Sequence, residues 1–283
     1  MIRLWIHGAR PRTLAAAVVP VAVGTAAAAP GVVWWRASAA LVVAMALQVG
    51  VNYANDYSDG IRGTDAERKG PARLVGSGAV APAAVSRAAL WAFAVAAAAG
   101  LALAVAVALW LVAVGVACIV AAWYYTGGRR PYGYAGFGEV FVFVFFGLVA
   151  TTGTAYVQTE ELTWVAVVAA VPVGLLASAL LVANNQRDID QDRAAGKRTL
   201  AVRLGARWSG WLYAVLVAAA FAAGSTLSVA RPWAPMTLAA LAFAVPAAGL
   251  SLSDKDKAPL LNMTARLHLV FGVLLTIGLA VSA

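Results

Sequence analysis

The chain has 283 residues, of which 63% are hydrophobic and 12% charged, and its mean hydropathy is +0.82. A soluble domain is about half apolar and about a quarter charged, so these values exclude a soluble globular protein and predict an all-α, polytopic membrane protein. The net charge of +9 does not call for nucleic acid as a partner, because the spans below gather it on one membrane face.

A crossing helix needs about 20 apolar residues. Spans are predicted over 13–29, 37–55, 84–106, 109–125, 136–157, 163–185, 208–229, 233–252 and 264–282, a bundle of nine within one domain of 1–283. The run 83–126 is divided because a single helix there would be about 66 Å long; the turn falls near Ala108–Leu109. The first span follows Arg3, Arg10 and Arg12, and "ARPRTL" reads as part of the protein rather than as a discarded leader. The only cysteine, Cys118, lies in an apolar run and makes no internal disulfide. With these spans, 19 of the 21 Lys and Arg residues fall on one side, and only Arg36 and Arg231 on the other. That asymmetry predicts a cytoplasmic N-terminus. Four lysines against 17 arginines, with heavy use of Ala, Val and Gly, suggest a GC-rich bacterial genome, hence a bacterial cell membrane.

Two acidic stretches interrupt this oily pattern. "NYANDYSDGIRGTD" (Asn52–Asp65) ends the second span, and "NNQRDIDQDRAAGKRTL" (Asn184–Leu200) ends the sixth. Four helices separate them, so both sit on the cytoplasmic side. Residues four apart share a helix face, which aligns Asn55 with Asp59, and Asn184 with Asp188 and Asp192. Asp56 and Asp190 point elsewhere if the helices continue, and Asp65, after Gly60 and Gly63, belongs to a loop that folds back. So many carboxylates repel one another unless a cation joins them. Hard oxygen donors suit Mg²⁺, which shares its shell with phosphates, and no His or Cys stands near to favour zinc. Cations follow each stretch: Arg68, Lys69 and Arg73 after the first, Arg193, Lys197 and Arg198 after the second. A third loop, "YYTGGRRPYGYAGFGE", adds Arg129 and Arg130. Cations beside a carboxylate-held metal fit a diphosphate, with Lys69, Arg73, Arg129 and Lys197 foremost. Glu139 lies in an aromatic run at the start of the fifth span, where an acid is costly unless it faces a polar cavity.

These strings resemble the two Asp-rich motifs of the UbiA-type intramembrane prenyltransferases, together with a Tyr-x-x-x-Arg-Arg element at Tyr125, Arg129 and Arg130. Within that superfamily, "ARPRTL", "NDYSDGIRGTD", "GPARLVGSG" and "NNQRDIDQD" look most like the 1,4-dihydroxy-2-naphthoate polyprenyltransferases of menaquinone synthesis. One departure is the five residues between Asp59 and Asp65, where many members have three. The resemblance implies a catalytic set of Asp59, Asp188, Asp192 and Lys69. It implies two Mg²⁺ ions held by Asn55, Asp59, Asp188 and Asp192, with Asp56 and Asp65 in support. Lys69, Arg73, Arg129, Asn184 and Lys197 then bind the diphosphate of a polyprenyl donor, and Arg10, Arg12 and Tyr125 the naphthoate acceptor. Other acceptors of the superfamily stay open: hydroxybenzoate, homogentisate, haem or a sugar phosphate. A cation-coupled transporter would place its acids near the bilayer midplane, not at helix ends beside basic loops. "DYSDGIRGT" begins like the metal motif of CDP-alcohol phosphotransferases, but Gly63 and Thr64 stand where that motif has Ala and Arg.

Overall fold

Inside hydrocarbon no water is present to satisfy a backbone amide, so each spanning segment must close its own hydrogen bonds. The computed structural model describes residues 2–64 and 73–283, with Arg12 described by its backbone alone, and among these residues the regular secondary structure is helical, without a β-strand. A short α1 (Ile2–Gly8) and a tight turn (Pro11–Thr13) lead into α2 (Ala15–Ala27) and α3 (Trp34–Ile61). Next come α4 (Pro82–Ala106), α5 (Leu111–Tyr124), α6 (Gly138–Val142) and α7 (Ala150–Thr159), the last two joined by a π-helical stretch over Phe143–Val149. The chain continues through α8 (Trp164–Arg187), the short α9 (Ile189–Ala194), α10 (Leu200–Thr226), α11 (Leu241–Leu252) and α12 (Leu260–Val281).

Among the described residues, seven helical segments are long and apolar enough to cross a membrane: α3, α4, Gly138–Thr159, α8, Leu200–Val229, Ala234–Leu252 and α12. Two shorter apolar helices, α2 and α5, occupy the positions of the predicted first and fourth spans. The predicted turn at Ala108–Leu109 falls in the gap between α4 and α5.

Helix length explains where the polar residues go. With 28 residues, α3 is about 42 Å long, some 12 Å more than a hydrocarbon core of about 30 Å. Its last turns carry Asn55, Asp56 and Asp59 without leaving the helix. At the equivalent end of α8 the helix breaks instead: Asp188 has φ −98° and ψ 9° and starts α9. A bond of 2.8 Å from the Asp192 amide to the Asp188 carbonyl keeps the four-residue spacing across this break.

The most enclosed span is α8, with 72% of its apolar window buried. It packs against α10, α12, α2 and the π-helical stretch, and its Ala166, Ala169, Val173 and Leu176 join Val19, Phe271 and Leu275 in the main core. Small residues set the distance between such helices, since lipid supplies no hydrophobic drive for their association. Gly147, in the π-helical stretch, faces Gly174 of α8 so closely that a Cβ on Gly147 would lie 2.4 Å from the Gly174 Cα. In α10 the axis bends at Gly205, whose φ of 78° and ψ of 172° lie outside helical values; that left-handed φ is costly for any residue with a Cβ.

The Gly147–Gly174 contact sets the separation of the π-helical stretch from α8. Gly147→Ala is expected to destabilise the protein by about 1–3 kcal/mol, an overpacking cost, read as a lower Tm in detergent. Gly153→Ala, with open space around its added Cβ, is the control and leaves Tm unchanged or raised.

Candidate active site

The ends of α3 and α8, the start of α9 and two loops enclose a polar cavity of about 60 Å³ lined by Asn55, Asp59, Asn184, Asp188, Asp192 and Lys197. The expected pairing of the two acidic stretches is thus a feature of the fold. Asp59 is 4% exposed. Its Oδ2 accepts a bond of 3.0 Å from Lys197 Nζ, and its Oδ1 accepts from the Tyr134 hydroxyl. Burial, and next the charge of Asp59, push the Tyr134 phenol above the ordinary tyrosine range, so it stays protonated and donates. Lys197 Nζ stands 4.8 Å, and the Arg62 guanidinium 5.4 Å, from the centre of the Tyr134 ring, within cation–π range. Arg62 also donates to the carbonyls of Thr126 and Gly128, and Thr126 Oγ1 donates to Asn55 Oδ1 at 2.8 Å. Across the cavity, Asp188 receives Arg187 through Nε at 2.6 Å and Nη2 at 2.7 Å, and the same Nη2 reaches Asn184 Oδ1 at 2.9 Å.

Not every predicted residue joins this cavity. Asp56 is 1% exposed and accepts the backbone amides of Leu74 at 3.0 Å and Val75 at 2.9 Å. Both oxygens therefore anchor the returning chain, and Asp56 lines the larger cavity described below instead. Asp190 is exposed and pairs with Arg193 at 3.1 Å. Arg129, of the Tyr-x-x-x-Arg-Arg element, is exposed and lines neither cavity. The positive φ of Gly128, 74°, turns the loop just before it, and Arg62 takes the carbonyls on the inner side. Asp65 and Lys69 lie outside the described residues, as does the side chain of Arg12.

Beside the polar cavity lies a larger, mostly apolar one of about 440 Å³. Arg10, Asn55, Arg73, Tyr125 and Asn184 line both, so the two share a mouth. Phe141, Phe145 and Phe146 line the apolar cavity with Leu180 and Leu181. Phe141 stacks on Tyr132 at 3.9 Å between ring centres. Phe145 and Phe146 belong to the π-helical stretch, and π-helical turns are frequent at functional sites. Glu139 is buried behind the polar cavity, where its Oε1 accepts from Asn185 Nδ2 at 3.0 Å.

Sequence reasoning alone does not find Tyr134, Thr126, Asn185, Gln48 or Asn52. For the last two a signal exists. Gln48, Asn52, Asn55 and Asp59 recur at steps of four, three and four along an otherwise oily helix, one face of its turns, and polar side chains at such positions mark function.

Residues 17–278 match the UbiA prenyltransferase family. The chain belongs to that family. It is 51% identical to the 1,4-dihydroxy-2-naphthoate octaprenyltransferase of Mycobacterium tuberculosis, over 98% of this chain and 96% of that protein. The Escherichia coli protein of the same name is 35% identical over 98% of this chain and 95% of its own length. Two solved structures share the fold. A UbiA homolog from Archaeoglobus fulgidus, bound to GPP and Mg²⁺, has a TM-score of 0.72 at 15% identity, covering 96% of this chain and 99% of its own. The apo UbiA homolog from Aeropyrum pernix K1 has a TM-score of 0.74 at 16% identity, with coverages of 95% and 97%. The chain is therefore a prenyltransferase of the UbiA type.

Tyr134 holds one Asp59 oxygen while its ring carries two cations. Tyr134→Phe keeps the ring and removes the donor; prenyl transfer is expected to fall about tenfold, in line with other residues that orient a ligand from behind. An unchanged rate would show that Asp59 does not need this bond.

Proposed function

We propose that this prenyltransferase moves a polyprenyl group from polyprenyl diphosphate to 1,4-dihydroxy-2-naphthoate, with loss of CO₂ and diphosphate, to give demethylmenaquinol. The observation that carries the reading is the shared mouth of a polar and an apolar cavity, which suits one molecule with a charged head and an oily tail. The naphthoate acceptor is supported by relatives 51% and 35% identical over nearly their full length.

The polar cavity fits Mg²⁺ by its donor set. Its acids and amides are all hard oxygen ligands. Asn55, Asp59, Asp188 and Asp192 would hold it, with Asp65 in support, and Asp56 fixes the backbone behind them. When bound, the metal supplies positive charge to the leaving diphosphate. The Mg²⁺ and GPP of the Archaeoglobus homolog support this assignment.

The chain's own residues do the rest. Lys197, Arg73 and Asn184 line the polar cavity and neutralise or hydrogen-bond the diphosphate, with Lys69 assigned the same role. The allylic C–O bond breaks and the electron pair leaves with diphosphate. The aromatic faces of Tyr125, Tyr132 and Phe141 around the apolar cavity favour the resulting cation, and apolar walls keep water from quenching it. The carboxyl-bearing ring carbon attacks, and CO₂ departs leaving its bonding pair in the ring. Arg10, at the shared mouth, and Arg12 hold the acceptor's carboxylate beforehand. The protein forms one domain of 1–283 that crosses a bacterial cell membrane nine times, with N-terminus and site on the cytoplasmic side. The distribution of 19 of the 21 basic residues supports that orientation.

Detergent-purified protein given dihydroxynaphthoate and a long-chain prenyl diphosphate is expected to form the decarboxylated quinol with Mg²⁺ and not with EDTA, as read by mass spectrometry. Asp59→Asn and Asp188→Asn each lower the rate at least about a hundredfold. Full activity in EDTA, or transfer only to a different acceptor, would overturn the metal or the acceptor assignment respectively.

A further inference from the structure

The wall of the apolar cavity contains a polar node that the reaction as described leaves unused. Gln48 of α3 lines this cavity, is 5% exposed, and sits seven residues before Asn55, two turns or about 10 Å along the helix. Its neighbours fix the direction of its amide. The Asn52 amide nitrogen donates to the backbone carbonyl of Ala9 at 2.8 Å, an acceptor with no alternative, so Asn52 Oδ1 is left to accept. Gln48 Nε2 donates to that oxygen at 3.4 Å and to Thr13 Oγ1 at 3.1 Å. Thr13 has already given its own proton to the Arg10 carbonyl at 2.9 Å and so can only accept from the two amides. Each donor in the chain is thereby committed, and Gln48 Oε1 is buried with no hydrogen-bond partner. A desolvated acceptor without a donor is costly, and such groups are uncommon unless a ligand or water completes them.

The reactants differ in what they can offer it. A prenyl tail carries no donor. A diphosphate carries negative charge and repels a carbonyl oxygen. A phenolic hydroxyl is the remaining donor, on an aromatic ring that must lie between the shared mouth and the apolar cavity to meet the prenyl carbon. We propose that Gln48 is a specificity residue for the acceptor: its Oε1 accepts a hydrogen bond from a ring hydroxyl. Arg10 follows the same backbone segment that the Asn52–Thr13 node grips, so the hydroxyl contact and the carboxylate contact are set by one rigid unit. The assignment rests on the functional reading above and adds to it the residue that reads the hydroxyl.

The test pairs a variant with substrate analogues. The Ki of 1-hydroxy-2-naphthoate and of 4-hydroxy-2-naphthoate, each lacking one hydroxyl, is measured against dihydroxynaphthoate in the full-length protein. In the unmodified protein one of the two binds about tenfold more weakly than an inhibitor retaining both hydroxyls, the value of one hydrogen bond. Gln48→Leu, of similar volume, raises the acceptor KM by the same factor, abolishes that difference and leaves the KM for prenyl diphosphate unchanged. Gln48→Met serves if the leucine variant does not fold, and the analogue comparison on unmodified protein needs no variant. The proposal is overturned if neither missing hydroxyl weakens binding, if the difference survives in the variant, or if both KM values rise together. Transfer that proceeds normally in each of those cases leaves the functional reading standing. Absence of transfer to every phenolic acceptor overturns both.

Discussion

The ion pair between Asp59 and Lys197 joins parts of the chain 138 residues apart, and the site is organised around it. A carboxylate buried at the end of a membrane helix costs several kcal/mol unless a countercharge meets it. Lys197 meets that need from the loop after α9, and Tyr134 completes it from the loop after α5. The Arg198 amide then donates to the Tyr134 carbonyl at 2.9 Å, tying the two loops to each other. Arg187 plays the corresponding part for Asp188. The acids proposed to hold a metal are thus kept in place by the protein's own cations. In the proposed function those cations are then close at hand for the phosphates that arrive with the metal.

Membrane thickness dictates the rest of the layout. Because α3 outruns the hydrocarbon, its polar face continues from Gln48 inside the bundle to Asp59 at the surface without a break in hydrogen bonding. The contact of Gly147 with Gly174 sets the π-helical stretch against α8, next to the phenylalanines that line the apolar cavity. In the proposed function, the head and tail of a prenyl diphosphate would each meet a surrounding of matching polarity in these adjoining cavities.

Much of this is legible in the sequence because it depends on local periodicity. Apolar run lengths mark the helices, and the four-residue spacing of Asn55 with Asp59, and of Asn184 with Asp188 and Asp192, marks the faces that meet in the polar cavity. What is not legible depends on loop geometry and long-range packing. Arg129 sits in a glycine-rich basic loop, and its exposed position after the turn at Gly128 depends on the geometry of that loop. Arg62 stands beside the acids in sequence, and only the fold brings its guanidinium to the carbonyls of Thr126 and Gly128 in that same loop. Asp56 matches its neighbours in chemistry, but its position one residue from Asn55 turns it toward the amides of Leu74 and Val75. Tyr134 is one of several aromatic residues in its loop, and only the fold puts its hydroxyl on Asp59.

In the proposed function, acids from α3 and from α8–α9 act as one metal-dependent receptor for diphosphate. Calorimetric binding of an unreactive prenyl thiolodiphosphate to the full chain tests it most directly, with Mg²⁺ or EDTA, in Asp59→Asn, Asp188→Asn and the double variant. Mg²⁺-dependent binding is expected, with a large loss in each single variant and little further loss in the double, since either change breaks the same bridge. Binding that survives EDTA, or losses that simply add, would contradict it.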